Sequence, residues 1–179
     1  MSSIDQVGIQ IALTQARKSF NEGGIPIGCS LISVNGAILG AGHNQRIQKS
    51  SPTLHGEIAA LEDAGRLKAG VYRDAMIYTT LSPCSMCTGA ILLYKIPRVV
   101  IGENKTFSMG GEDLLRSHGV EVVVLDNEEC KKLMAKFISE KPGEWNEDIG
   151  EALRLFFSCA SSQTRVHIIP PGSALRLRN

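Results

Sequence analysis

Two short stretches carry the side chains that a metal ion takes as ligands: Leu54-His55-Gly56-Glu57, and Ser82-Pro83-Cys84-Ser85-Met86-Cys87. His55, Cys84 and Cys87 offer one imidazole and two thiolates, a donor set suited to zinc. Three protein ligands leave the fourth tetrahedral position for water, which is the arrangement of a catalytic ion, whereas a structural site is closed by a fourth side chain. Glu57 is not needed to hold the ion, and a carboxylate two residues from a ligand is placed to carry the proton of an activated water. A lone C-x-x-C also serves as a redox dithiol or as half of a zinc ribbon. The ribbon needs a second C-x-x-C, which the sequence lacks, and the dithiol has no use for His-x-Glu upstream.

Both motifs open predicted helices, one from about Gly56 to Arg66 and one from Cys84 to Tyr94, where unpaired amides and the helix dipole favour thiolate. Ahead of them, Ser2 or Ser3 caps a helix whose apolar positions Val7, Ile11 and Phe20, with Ala12 and Ala16, recur at helical spacing before Gly23-Gly24 ends it. The runs IGCSLISV and AILGAGH flank Asn35-Gly36, the dipeptide of a two-residue hairpin turn with positive φ at both centres. Strands at Met76–Thr80, Arg98–Gly102 and Glu121–Leu125 alternate with helices near Glu112–His118 and at Asn127–Lys141. Strands separated by helices imply parallel crossovers, so the pattern predicts a mixed sheet with helices on both faces, a three-layer α/β/α domain. Pro142 breaks the last long helix, and GEWNEDIGE then forms one short turn.

With 179 residues, 43% of them apolar and 21% charged, the chain suits one globular domain. No run of 18 apolar residues occurs and the N-terminus lacks an export signal, which argues against membrane spanning and secretion. Five cysteines then point to reduced thiols and a cytoplasmic or nuclear setting. Cys29 and Cys130 read as core fillers, and His43, His118 and His167 stand alone. The net charge is +1, but Arg154, Arg165, Arg176 and Arg178 lie in an acid-free stretch from 152 to 179, without which the rest carries −3. That balance lacks the basic stripe a nucleic-acid backbone demands. The working domain is expected at 1–151, and 152–179, with no sustained period and a Pro170-Pro171-Gly172 break, is expected to be a poorly ordered tail.

H-x-E paired with P-C-x-x-C is the pattern of zinc-dependent base deaminases. The sequence closely resembles the fungal cytosine deaminases over a far longer span, from about Asp5 to Glu151, through EGGIPIGCSLI, GHNQR, TLHGEIAALEDAGRL, YTTLSPCSMCTGAILLY, IPRVVIGEN and EWNEDIGE. The resemblance implies a homodimer of cytidine-deaminase-like domains with a five-stranded mixed sheet. It implies one zinc per subunit on His55, Cys84 and Cys87, no organic cofactor, and hydrolysis of free cytosine to uracil and ammonia in pyrimidine salvage, with 5-fluorocytosine also accepted. By matching positions, Glu57 is the proton shuttle, Asn44 and the Gly56 backbone bind the polar edge of the base, and Asp148 bonds near the reacting amine. Phe107 and Trp145 would cover the base, with Ile27, Leu81 and Ser82 at the pocket wall. Read without the resemblance, Trp145 could equally anchor a core, Phe107 only pack, and Asn44 satisfy a turn.

Ile47 stands where the family commonly has an aromatic residue, an expected opening of one pocket wall. The metal motifs are also those of guanine, cytidine and tRNA adenosine deaminases, and a zinc-binding protein without catalysis would keep the ligands while having no use for Glu57.

Overall fold

The computed structural model describes residues 2–150; the segment expected to form a tail and the expected homodimer lie outside what it describes. Helix α1 (Ser3–Asn21) opens on a capping box, in which Asp5 N–H donates to Ser2 Oγ at 3.1 Å and Ser2 N–H to Asp5 Oδ2 at 3.0 Å. Its buried face matches the expected one only in part. Ala12 and Ala16 face the sheet as expected, but Val7 is half exposed and Gly8, Ile9 and Leu13 are buried beside them. Ala12 and Ala16 stand where α1 lies so close to strand β1 (Gly28–Ser33) that a Cβ at Gly28 would run into the Ala12 carbonyl.

Strand β2 (Ile38–His43) returns antiparallel to β1. The turn between them also departs from expectation. Gly36 alone takes positive φ (84°), its N–H donates to Ser33 O at 2.9 Å, and Ser33 N–H donates to Ala37 O at 2.9 Å. Glycine thus closes a three-residue loop with an irregular register, rather than Asn35-Gly36 forming a two-residue turn.

A single turn, α2 (Arg46–Lys49), precedes α3 (Gly56–Ala64), and α4 (Ala69–Arg73) precedes the central strand β3 (Ala75–Leu81). Helix α3 stops short of Arg66 because Gly65 takes φ of 70°. Then follow α5 (Ser85–Tyr94), β4 (Arg98–Glu103), α6 (Gly111–Ser117), β5 (Glu121–Val124) and α7 (Glu128–Glu140). The sheet order is β2-β1-β3-β4-β5, with β1 antiparallel to β2 and β3, and β3, β4 and β5 parallel. A five-stranded mixed sheet between helical layers is the expected class. The last element is more than the expected turn: Pro142 stands at the first position of a seven-residue helix, α8 (Pro142–Asp148), where proline has no hydrogen bond to lose.

Side-chain alternation along the strands splits the core in two. Cys29, Leu31, Ile77, Val99 and Ile101 pack with Ala60, Leu61, Ile91 and Leu115 on one face, and Ile32, Tyr78 and Val100 pack with Ile9 and Ala12 on the other. A third cluster sits at one sheet end, where Ile25, Ile27 and Leu81 meet Met134 and Phe137 of α7 and Trp145 of α8. Under α1, Asp5 is buried against Arg98, which approaches it at 2.5 and 3.2 Å, and Tyr78 Oη donates to it at 3.0 Å.

The Arg98 guanidinium holds the Asp5 carboxyl well below its ordinary value of 3.8, so its contribution is complete above that pH and is lost as pH falls through it toward the folded value. Asp5→Asn is expected to cost about 3 kcal/mol at pH 7, because it leaves a partly buried guanidinium without its main partner. Urea unfolding of both proteins should give that difference at pH 7 and a shrinking one below pH 3.8; an equal difference at both would refute the pairing.

Candidate active site

The carboxyl end of β3 is where the chemistry gathers. His55 is the extended residue just before α3 (φ −70°, ψ 168°) and Cys84 the extended residue just before α5 (φ −71°, ψ 172°), so the N-termini of two helices converge there. Cys87, three residues after Cys84, lies on the same face of α5's first turn. One ligand atom from each of the three falls within 4.8 Å of the others, and His55 Nδ1 lies 3.5 Å from Cys84 Sγ. That spread suits a single tetrahedral ion, and the donors are zinc's.

A hydrogen bond from Cys87, reinforced by His55, lowers Cys84 to about 4, while the same bond and burial push Cys87 up. Burial lowers the affinity of His55 for a proton, yet contact with Cys84 outweighs it and the imidazole is raised. The cluster therefore offers a thiolate at neutral pH before any ion arrives, which favours a cation.

Glu57 is buried and lies outside the ligand group, facing the cavity beside it. Burial raises its carboxyl above the usual range, with its own backbone amide and His55 opposing. Its Oε1 lies 3.1 Å from Thr79 Oγ1, which is also 3.0 Å from Leu81 O. A residue on β3 thus holds the carboxyl in place.

A cavity of about 330 Å3 opens over the cluster. Ile27, Leu81 and Ser82 form its wall, Asp148 reaches in from the end of α8, and Phe107 and Trp145 cover it edge to face, with ring centroids 6.0 Å apart. Burial raises the Asp148 carboxyl and Arg46 opposes the rise. Asn44 and Gly56 sit behind this lining. Asn44 is fully buried, and because its Oδ1 accepts Arg46 N–H at 3.0 Å, the other terminal atom must be the amide nitrogen. That Nδ2 has no partner among the described residues, a donor waiting for an acceptor. Gly56 is the first residue of α3, and a Cβ there would press on Ile27 O at 3.1 Å.

Ile47 does not line this cavity. It lines a neighbouring one, so its departure from the aromatic pattern leaves the expected wall unchanged. His43 is buried, its Nδ1 3.0 Å from Asn44 O, and His118 is exposed; neither approaches the ligands. Cys29 and Cys130 are buried thiols, while His167 and Cys159 lie outside the described residues.

Several supporting residues escaped the sequence reading. Buried Glu103 accepts Lys105 and Thr106 N–H at 2.7 and 3.0 Å, which pins the loop carrying Phe107. Glu112 accepts Ser82 Oγ and Asn104 Nδ2, each at 3.0 Å. Arg46 pairs with Asp148. A buried acid at a strand end, as in Ile101-Gly102-Glu103-Asn104, is the one signal that could have found any of them.

The family described as the cytidine and deoxycytidylate deaminase zinc-binding region matches residues 2–103. The chain is 63% identical over 151 residues to the cytosine deaminase of Candida albicans, which covers 84% of this chain and 100% of that relative. It is 36% identical over 154 residues to the tRNA-specific adenosine deaminase of Haemophilus influenzae, covering 80% of this chain and 88% of that protein. A solved structure from a study of A-to-I editing by tRNA:A34 deaminases at the wobble position of transfer RNA superposes with a TM-score of 0.59 at 25% identity, covering 72% of this chain and 99% of that one.

Zinc analysis of the purified protein should find about one ion per chain, and Cys84→Ala should lower it to a small fraction, with a lower melting temperature, because metal affinity is folding free energy. Full zinc occupancy in that variant would remove Cys84 from the ligand set.

Proposed function

The chain belongs to the cytidine and deoxycytidylate deaminase family, and from that premise we propose that it hydrolyses free cytosine to uracil and ammonia. The observation that carries this reading is the cavity itself: a small space over the ligand cluster, roofed by Phe107, Trp145 and Asp148, which suits a single planar ring gripped on its polar edge. The 151 residues aligned with the Candida albicans relative cover the whole of that protein.

His55, Cys84 and Cys87 hold the zinc, which when bound supplies the Lewis acid that makes water a nucleophile near neutral pH. Asn44 Nδ2 donates to the carbonyl oxygen of the base, beside the Gly56 N–H, and the Asp148 carboxylate accepts from the exocyclic amine. Ile27, Leu81 and Ser82 fix the ring in its plane, and the two aromatic residues keep bulk water out. Glu57 takes one proton from the attacking water and delivers it to the ring nitrogen beside the reacting carbon. The second proton of that water passes through Glu57 to the departing amine, so ammonia leaves and a carbonyl remains. A fluorine at ring position 5 adds little bulk, and 5-fluorocytosine is accepted too.

In the cell the reaction serves pyrimidine salvage in the cytoplasm. The protein works as a homodimer, for which exposed Leu93 and half-exposed Tyr94 on α5 offer apolar surface. We place the working domain at residues 1–151, and a relative that aligns over 151 residues and is covered in full is consistent with a domain of that size. Neither nucleic acid nor membrane takes part; among the described residues no helix is long and apolar enough to cross a membrane.

Zinc-loaded protein is expected to release ammonia from cytosine and not appreciably from cytidine, guanine or a tRNA anticodon stem. Glu57→Gln should keep its zinc and lose roughly 10²–10⁴-fold in kcat, the usual worth of a positioned acid-base group. Faster turnover of cytidine than cytosine would sink the substrate assignment, and full activity in the variant would sink the mechanism. A chain ending at Glu151 is expected to retain full cytosine turnover; loss of folding or dimerisation would show that 152–179 belongs to the working domain.

A further inference from the structure

The cytosine reading leaves Arg46 unused, although it touches both polar contacts of the base. Its backbone N–H donates to Asn44 Oδ1 at 3.0 Å and thereby fixes which way the Asn44 amide points. Its guanidinium, about three-quarters buried, forms an ion pair with the Asp148 carboxylate, and Nη1 also donates to the Asp148 backbone carbonyl at 3.2 Å. Nε is buried with no partner, so among the described residues Asp148 is the guanidinium's one anchor. The pair joins α2 to the end of α8, residues 102 apart in sequence.

What lies on the far side gives the contact its meaning. A second cavity of about 380 Å3, lined by Ile47, Ser50, Ser51 and Glu147, shares Arg46, Pro52 and Asp148 with the first. The ion pair is therefore a partition between the two spaces. A carboxylate at the tip of a seven-residue helix has two directions open to it, inward to the base or outward past Ile47. The guanidinium, bonded to both the side chain and the main chain of Asp148, removes the outward one.

We propose that Arg46 is a positioning residue for the deamination, whose guanidinium aims the Asp148 carboxylate at the exocyclic amine of the bound base. The proposal rests on the cytosine reading. It separates two halves of recognition: the carbonyl half is set by the Arg46 backbone, which no side-chain substitution alters, and the amine half by the Arg46 side chain. Loss of the guanidinium is felt by ligands that carry the amine and not by those that lack it.

The test compares cytosine with pyrimidin-2-one, which is cytosine without its amine, on the zinc-loaded unmutated protein, Arg46→Gln and Arg46→Lys. Arg46→Gln is expected to raise the KM for cytosine about tenfold, the effect of one lost charge-assisted hydrogen bond, with a smaller fall in kcat. The inhibition constant of pyrimidin-2-one and the zinc content should stay within about twofold, because the metal ligands and the Asn44 contact are untouched. Arg46→Lys, which keeps the charge but not the fork, should recover part of the cytosine KM. Equal weakening of both ligands would overturn the proposal, since Arg46 would then only hold α8 in place, and so would an unchanged cytosine KM. Should Arg46→Gln fail to hold zinc, the same comparison on Arg46→Lys decides, with a rise in the cytosine KM alone expected and parallel loss overturning it. Silence of the unmutated protein on cytosine would instead overturn the substrate reading beneath the proposal, and is seen before any variant is made.

Discussion

Everything at the site depends on two helix N-termini being brought together at the end of one strand. His55 and Cys84 each occupy the extended residue before a helix, and both helices start beside Leu81, where β3 leaves the sheet. The meeting is possible because β3 is central, antiparallel to β1 on one side and parallel to β4 on the other. The antiparallel register puts Cys29 opposite Thr79, which brings Ile27 to the level of Leu81, and the parallel register puts Glu103 beside Leu81. Wall, ligands and the anchor of the Phe107 loop thus arrive at one edge from three neighbouring strands. A shift of one residue in either pairing would turn Thr79 away from Glu57 and scatter the set.

The same convergence concentrates buried acids, and each finds a partner of its own, although Glu103 Oε1 has none among the described residues. Glu57 meets Thr79, Glu103 caps two backbone amides, Glu112 gathers Ser82 and Asn104, and Asp148 faces Arg46. A buried carboxylate costs several kcal/mol unless it is hydrogen-bonded or paired. These costs fix the surroundings more tightly than apolar packing alone would, because turning any one acid away strands its partners. Glu57 has one fixed side-chain partner, Thr79, and faces the cavity beside the ligand cluster.

The metal cluster was legible because its chemistry is local. Ligand spacing within Cys84–Cys87, and His55 with Glu57 two residues on, survive in one dimension what folding does in three. The alternation of strands and helices was legible for the same reason, since period and punctuation are properties of short windows. Contacts between distant segments were not. Val7 looked like a core position because Val is apolar, whereas its neighbour Gly8 faces the sheet, where a Cβ would run into the Tyr78 ring. Single turns such as α2 are too short to show a period, so Arg46 drew no reading of its own, and its partner 102 residues away could not be inferred. Ile47 shows the limit of position matching: the substitution was visible, but which of two cavities it faces depends on how α2 meets α8.

Selectivity must therefore reside away from the ligands. A metal cluster with an acid beside it is indifferent to what is attached to the reacting ring, and proteins that share the motifs act on different amines. On the proposed reading the discriminating surfaces are the Asn44 amide, the loop of Phe107 and the roof formed by α8. The roof stands on the third apolar cluster, where Trp145 packs with Met134 and Phe137 of α7 as well as with Ile27 and Leu81 of the wall. One set of side chains thus joins the cover to the floor, and α8 is held both by that packing and by the Arg46 ion pair. A substrate with a sugar on the ring nitrogen would have to part these two attachments together. A free base has only to fit beneath them.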